Sequence, residues 1–168
     1  MGKLKLGACG GLLVGLLVIL GACDPQRVSK LEEGVSTEVE VRQQFGDPVT
    51  LTVGPDGTKT RDYPRQPEGW TNYVIQIGPA GKMSSLRQLL TADNFARVQP
   101  GLGQQEVRKL LGRPAQQQRF DLKKEEVWDW RFKLGQESKL FSVTFNTEGK
   151  VTATGVGDDP RETMSGAK

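Results

Sequence analysis

Apolar and polar positions along this chain fall into two series of the same design. In 127–133, Trp128, Trp130 and Phe132 alternate with Asp129, Arg131 and Lys133. That is the period-two pattern of a strand with one face buried. In 139–145, Phe141, Val143 and Phe145 alternate with Leu140, Ser142 and Thr144. Earlier, in 70–77, Tyr73, Ile75 and Ile77 form a matching apolar face, and Trp70, Asn72, Val74 and Gln76 lie on the other. Helical spacing is found in Val107, Leu110 and Leu111. Thr37 and Glu40 have the separation of a capping box, which predicts a helix starting there. Gly46 followed by Pro48, and Gly112 followed by Pro114, predict the two helix ends, because glycine takes the turn and proline prevents continuation. Shorter helices are expected near 25–32 and 92–98, the second capped by Thr91 or Asp93. Pro55-Asp56-Gly57 and Asn146-Thr147-Glu148-Gly149 are turn sequences.

The two series align block by block. Val41-Arg42 and Phe45-Gly46-Asp47-Pro48 match Val107-Arg108 and Leu111-Gly112-Arg113-Pro114. Ile75 to Met83 matches Val143 to Val151, and Tyr63 falls opposite Trp130. The offsets are 66 residues at Val41 and Phe45, 67 at Tyr63 and 68 at Ile75, so the chain reads as one unit written twice. Each unit is two helices plus a small antiparallel sheet with the helices on one face, an α+β layer. The boundaries expected are 23–90 for a first, degenerate unit, 91–156 for the second, and 157–168 for a polar, disordered tail.

The N-terminus carries a different pattern. Lys3 and Lys5 precede an uncharged stretch, Leu6 to Ala22, that ends in Leu20-Gly21-Ala22-Cys23. A basic start, an apolar core and small residues before a cysteine predict an export signal over 1–22 of the lipoprotein kind. Cys23 is then the lipidated first residue, and more than one acyl chain is what makes such attachment stable. An uncleaved membrane anchor is the rival reading, and both place residues 24–168 outside the cytoplasm. The expected location is the periplasmic side of the cell envelope. The outer membrane is favoured, with Asp24 leaving the inner membrane open.

Composition narrows the chemistry. Lys3 and Lys5 leave with the signal, so Lys+Arg falls from 23 to 21 against 20 acids. No nucleic-acid partner is expected, since that needs clustered basic charge. Histidine is absent, and the two cysteines are Cys9 and Cys23. A mature chain without imidazole or free thiol lacks the usual zinc ligands, histidine bases and cysteine nucleophiles. No metal, cofactor or small-molecule substrate is expected, and the protein is read as a non-enzyme. Glu125-Glu126 and Asp158-Asp159 are read as solvated charge rather than an acid–base pair.

One segment carries a family resemblance. Leu90-Thr91-Ala92-Asp93-Asn94-Phe95, Val98 to Val107, Leu111-Gly112-Arg113-Pro114, Trp128-Asp129-Trp130 and Val143 to Val151 occur in that order. This stretch, roughly 90–156, resembles the SmpA/OmlA (BamE) family of outer-membrane assembly lipoproteins. The resemblance implies two helices on a three-stranded antiparallel sheet, and a role in stabilising the machinery that inserts β-barrels into the outer membrane. Gly103 stands where the family usually has a threonine cap, and the duplicated unit is also a departure. The tandem arrangement resembles the β-lactamase-inhibitor protein fold in architecture.

Two functions follow as expectations. The first is a membrane-anchored, non-enzymatic protein-binding scaffold in outer-membrane protein assembly or envelope integrity, with the barrel-assembly machinery as its envelope partner. The alternative is a periplasmic inhibitor or binding module that sets a doubled sheet surface against an envelope enzyme. The aromatic face of Trp128, Trp130 and Phe132 is read as core. Trp70, with Asn72 and Val74 on the same outward face, is the candidate partner contact, and packing between the units is the competing reading for Trp70.

Overall fold

The computed structural model describes residues 24–165. The signal and Cys23 lie outside the described residues. Helices α1 (Asp24–Val28) and α2 (Glu38–Phe45) precede a sheet of β1 (Thr50–Val53), β2 (Lys59–Pro64), β3 (Asn72–Ile77) and β4 (Met83–Gln88). Helices α3 (Ala92–Ala96) and α4 (Gln104–Leu111) precede β5 (Gln116–Phe120), β6 (Glu125–Leu134), β7 (Glu137–Phe145) and β8 (Val151–Asp158). A last helix, α5 (Pro160–Ser165), ends the described chain. Both sheets are antiparallel and four-stranded, ordered β1-β2-β3-β4 and β5-β6-β7-β8.

The duplication extends to irregular detail. Thr37 bridges Lys82 as Gly103 bridges Lys150. Register shifts occur at Gln76/Ile77 in one unit and at Thr144/Phe145 in the other. Gly34 N–H donates to the Met83 carbonyl at 2.7 Å, and Gly101 N–H to that of Val151 at 2.8 Å. Gly46 and Gly112 both have positive φ, 79° and 73°, where a side chain is strained.

Two separate cores result. Val41 and Phe45 of α2 pack on Tyr63, Tyr73, Ile75, Ile77 and Met83. Val107 and Leu111 of α4 pack on Trp128, Trp130, Phe132, Phe141, Val143 and Phe145. The aromatic stripe of β6 is therefore core. The second cluster is extended by Phe95, which stacks on Phe141 with ring centres 4.3 Å apart.

The units differ where the first has a charged residue in place of an apolar one. Register pairs Arg61 with Ile75 in β2–β3, and Trp128 with Val143 in β6–β7. A buried arginine thus stands where the second unit has a tryptophan. Its charge is met by Glu38 of α2, which also accepts from Lys59 Nζ at 2.8 Å. In the second unit the same position on α4 is Gln104, donating to Glu126 at 3.1 Å.

Three expectations are corrected. Each sheet has four strands, not three. The fourth strand in each unit, β1 or β5, is exposed along its whole length and carries no one-sided pattern to read. The stretch from 157 is not a loose tail as far as it is described. Asp158 closes β8, and Asp159 is 2% exposed because its carboxylate accepts from Arg131 and, at 2.9 Å, from Ser138 Oγ. Arg131 itself was expected on a solvent face and is buried by the same contacts.

Candidate functional site at the junction of the units

The junction is built from the turn after β2, the start of β3, the end of α4 and the β6–β7 hairpin. Gln66, in that turn, uses its amide as a strand would. Its Nε2 donates to the Arg131 carbonyl at 2.8 Å, and its Oε1 accepts from Arg131 N–H at 3.3 Å. Asn72 opens β3, and its Nδ2 donates to the carbonyls of Leu111 at 2.7 Å and Arg113 at 2.9 Å. The Leu111 carbonyl is one of the orphan acceptors at a helix C-terminus, so a side chain of one unit caps a helix of the other. Gly112 makes the approach possible: a Cβ there would stand 3.0 Å from Asn72 Nδ2.

A polar chain completes the joint. Trp70 Nε1 donates to Ser138 Oγ at 2.5 Å, and Ser138 Oγ donates to Asp159. The Lys133 ammonium lies 4.5 Å from the centre of the Trp70 ring, a cation–π contact. Arg161 bonds the Pro67 carbonyl and, at 2.9 Å, the Glu68 carboxylate. Asn72 Oδ1 is buried without a partner among the described residues, which costs about 1–3 kcal/mol.

Beyond the contact of Asn72 with Gly112 the units part. The outer face of the first sheet, with Thr50, Thr52, Thr60, Asp62 and Val74, looks across a cleft of about 780 Å³ at Gln105, Arg108 and Lys109 of α4. A neighbouring hollow of about 870 Å³ continues along Arg87, Arg97 and Leu110, and shares Val74, Leu89 and Lys109 with it. Arg108 lies 5.0 Å from the Trp128 ring centre, at the root of this wall. Burial pushes the Asp62 carboxyl above the usual carboxylate range.

Of the residues expected to meet a partner, Asn72 is 1% exposed and holds α4. Trp70 keeps 40% of its surface exposed and gives its indole N–H to the other unit. Val74 is half-buried and lines the cleft. Cys23 lies outside the described residues. Sequence reasoning missed Gln66 and Ser138, whose partners across the junction lie 65 and 68 residues away, and Asp159, which holds Ser138 from within its own unit, because no spacing signals such contacts. It also missed Lys109 in the α4 wall, while Arg108, like Arg42 at the equivalent position of α2, reads as the solvent end of a packed face with a shared partner contact as the alternative.

Residues 88–155 match the family model of the outer membrane protein assembly factor BamE domain. The match covers α3, α4 and nearly all of the second sheet, so the similarity lies in the second unit. No curated protein matches the chain. Among solved structures, a DUF4309 family protein from Bacillus subtilis subsp. subtilis str. 168 is similar at 17% identity, over 80% of this chain and 86% of that one, with a TM-score of 0.33. A protein from Streptococcus mutans, described as a candidate β-lactamase inhibitor, is similar at 14% identity, over 73% of this chain and 83% of that one, with a TM-score of 0.32. No described helix is long and apolar enough to cross a membrane.

Proposed function

We propose, from a second unit that matches the BamE domain model, that this chain is a non-enzymatic protein-binding scaffold of the cell envelope that serves outer-membrane protein assembly or envelope integrity. The observation that carries the reading is the family match over residues 88–155. Cys23 is proposed as the lipidated residue and the outer membrane as the site of anchoring. Units over 23–90 and 91–156 are proposed as the working halves. The tandem arrangement supports the reading, because the second copy doubles the surface on offer without adding titratable groups suited to catalysis. Val74 and the free edge of Trp70 remain the contacts proposed for a partner, with Asn72 acting beneath them by fixing α4.

Affinity capture of the intact lipoprotein from crosslinked envelopes tests this. Subunits of the barrel-assembly machinery are the expected catch. Recovery of one soluble periplasmic enzyme in their place would overturn the assembly role in favour of an inhibitor. A Cys23→Ser variant is expected to leave the membrane fraction, and retention there would mean a proteinaceous anchor.

A further inference from the structure

We propose that the cleft between the first sheet and α4 is a docking groove for an extended, acidic segment of a partner protein. It rests on the reading of this chain as a protein-binding module, and adds where the partner sits and what chemistry it brings. The argument is charge complementarity in a shaped site.

Arg108, Lys109 and Arg113 line one part of the cleft, and Arg87 and Arg97 its continuation. Against these five cations stand two carboxylates, Asp62 and Glu106. Glu106 is already engaged, accepting from Gly103 N–H at 2.8 Å. The side chains of Arg87, Lys109 and Arg113 make no hydrogen bond or ion pair with the described residues. Once the signal is removed, the chain has 21 basic residues against 20 acidic ones. The groove, with five cations against two carboxylates, is thus more positive than the nearly balanced chain as a whole.

The opposite wall supplies what an extended backbone needs. Thr50, Thr52 and Thr60 present hydroxyls that donate or accept. Between the walls, Val74, Leu89, Leu102 and Leu110 offer apolar footing for alternate side chains. The cations stand on the side of a concave gap, where a flat bilayer cannot reach them together. A peptide with acids on one edge and apolar side chains on the other satisfies both walls.

The test uses the full-length lipoprotein in neutral detergent micelles. The probe is a fluorescein-labelled peptide of about twelve residues alternating glutamate with valine, long enough to span the groove as a strand. Anisotropy should show binding that weakens between about 50 and about 200 mM salt. The exposed double variant Lys109→Glu/Arg113→Glu should bind about tenfold or more weakly, while Lys123→Glu/Lys124→Glu, on a turn away from the groove, should bind as the parent does. A benzophenone placed through Gln105→Cys should crosslink the peptide, and one placed through Lys123→Cys should not. Equal affinity in the Lys109/Arg113 variant would overturn the groove. So would an equal loss in the Lys123/Lys124 variant, or a charge-dependent preference for phosphatidylglycerol vesicles over the peptide. If envelope capture succeeds equally with parent and Lys109/Arg113 variant, the scaffold stands and the groove falls.

Discussion

Single residues decide how the two units are joined. Asp159 is the clearest case. It meets the buried Arg131 guanidinium and the Ser138 hydroxyl, and that hydroxyl holds Trp70 of the other unit. Asp159→Asn keeps a hydrogen-bonding group but leaves Arg131 as a buried charge without its counter-ion. Urea denaturation is expected to show a loss of about 3–5 kcal/mol, with amide exchange in α5 rising first. Two other carboxylates should respond to pH in opposite senses. Glu38 is held below the ordinary glutamate range by the hydrogen bond from Lys59, then by the nearby Arg61 charge, against a counteracting burial. Its stabilisation is complete above the unfolded value near about 4.3 and is lost as pH falls through the folded value. The Asp62 side chain is half-buried without a hydrogen-bond or ion-pair partner among the described residues, so burial raises its folded value and its charged form is a penalty at neutral pH. Glu38→Gln should therefore destabilise at pH 7 and lose its effect in acid. Asp62→Asn should stabilise at pH 7 by an amount that shrinks as pH falls. Paired melting curves across that range check both signs.

At the level of elements, the two units are a natural comparison of helix caps. Thr37 gives α2 a complete capping box, with Glu40 returning a 2.7 Å bond to Thr37 N–H. Gly103 gives α4 only the return half. Thr37→Ala should cost about 1 kcal/mol, whereas Gly103→Ser should gain only a few tenths, since glycine is a tolerable cap. A Cβ at Gly103 would meet only the flexible ends of Glu106 and Lys150. Both changes are readable by thermal melts of the whole chain. The same elements show what the sequence could reveal. Capping box, Gly-x-Pro stops and alternating aromatics marked α2, α4, β3, β6 and β7, because each is a local consequence of one buried face. The strand of Gln116-Gln117-Gln118-Arg119-Phe120 has no buried face, so only pairing with β6 makes it a strand. Arg61 and Arg131 were equally unreadable: an arginine is buried only when a distant carboxylate arrives. Among the candidate contacts, Val74 and Trp70 were visible as an outward face. That Asn72 reaches under α4 depends on how two units lie together, which no spacing within one unit encodes.

For the whole molecule, Gly112 is where that mutual placement is most exposed to test. Gly112→Ala places a methyl against Asn72 at a φ of 73°, a backbone strain of about 1–3 kcal/mol. Because the two cores are separate, this change should part the units before it melts either. The expected outcome is a larger radius in X-ray scattering and altered Trp70 fluorescence, with far-ultraviolet circular dichroism unchanged. Asp24 begins α1, and its carboxylate accepts from Arg65 Nε at 3.2 Å and Thr71 Oγ1 at 3.0 Å. The body of the protein thus starts one residue after Cys23, about 3.8 Å of backbone. If Cys23 carries the fatty chains proposed for it, that spacing leaves no leash: the first unit would ride flush on the lipid, and a partner would have to come down to the bilayer surface to be met.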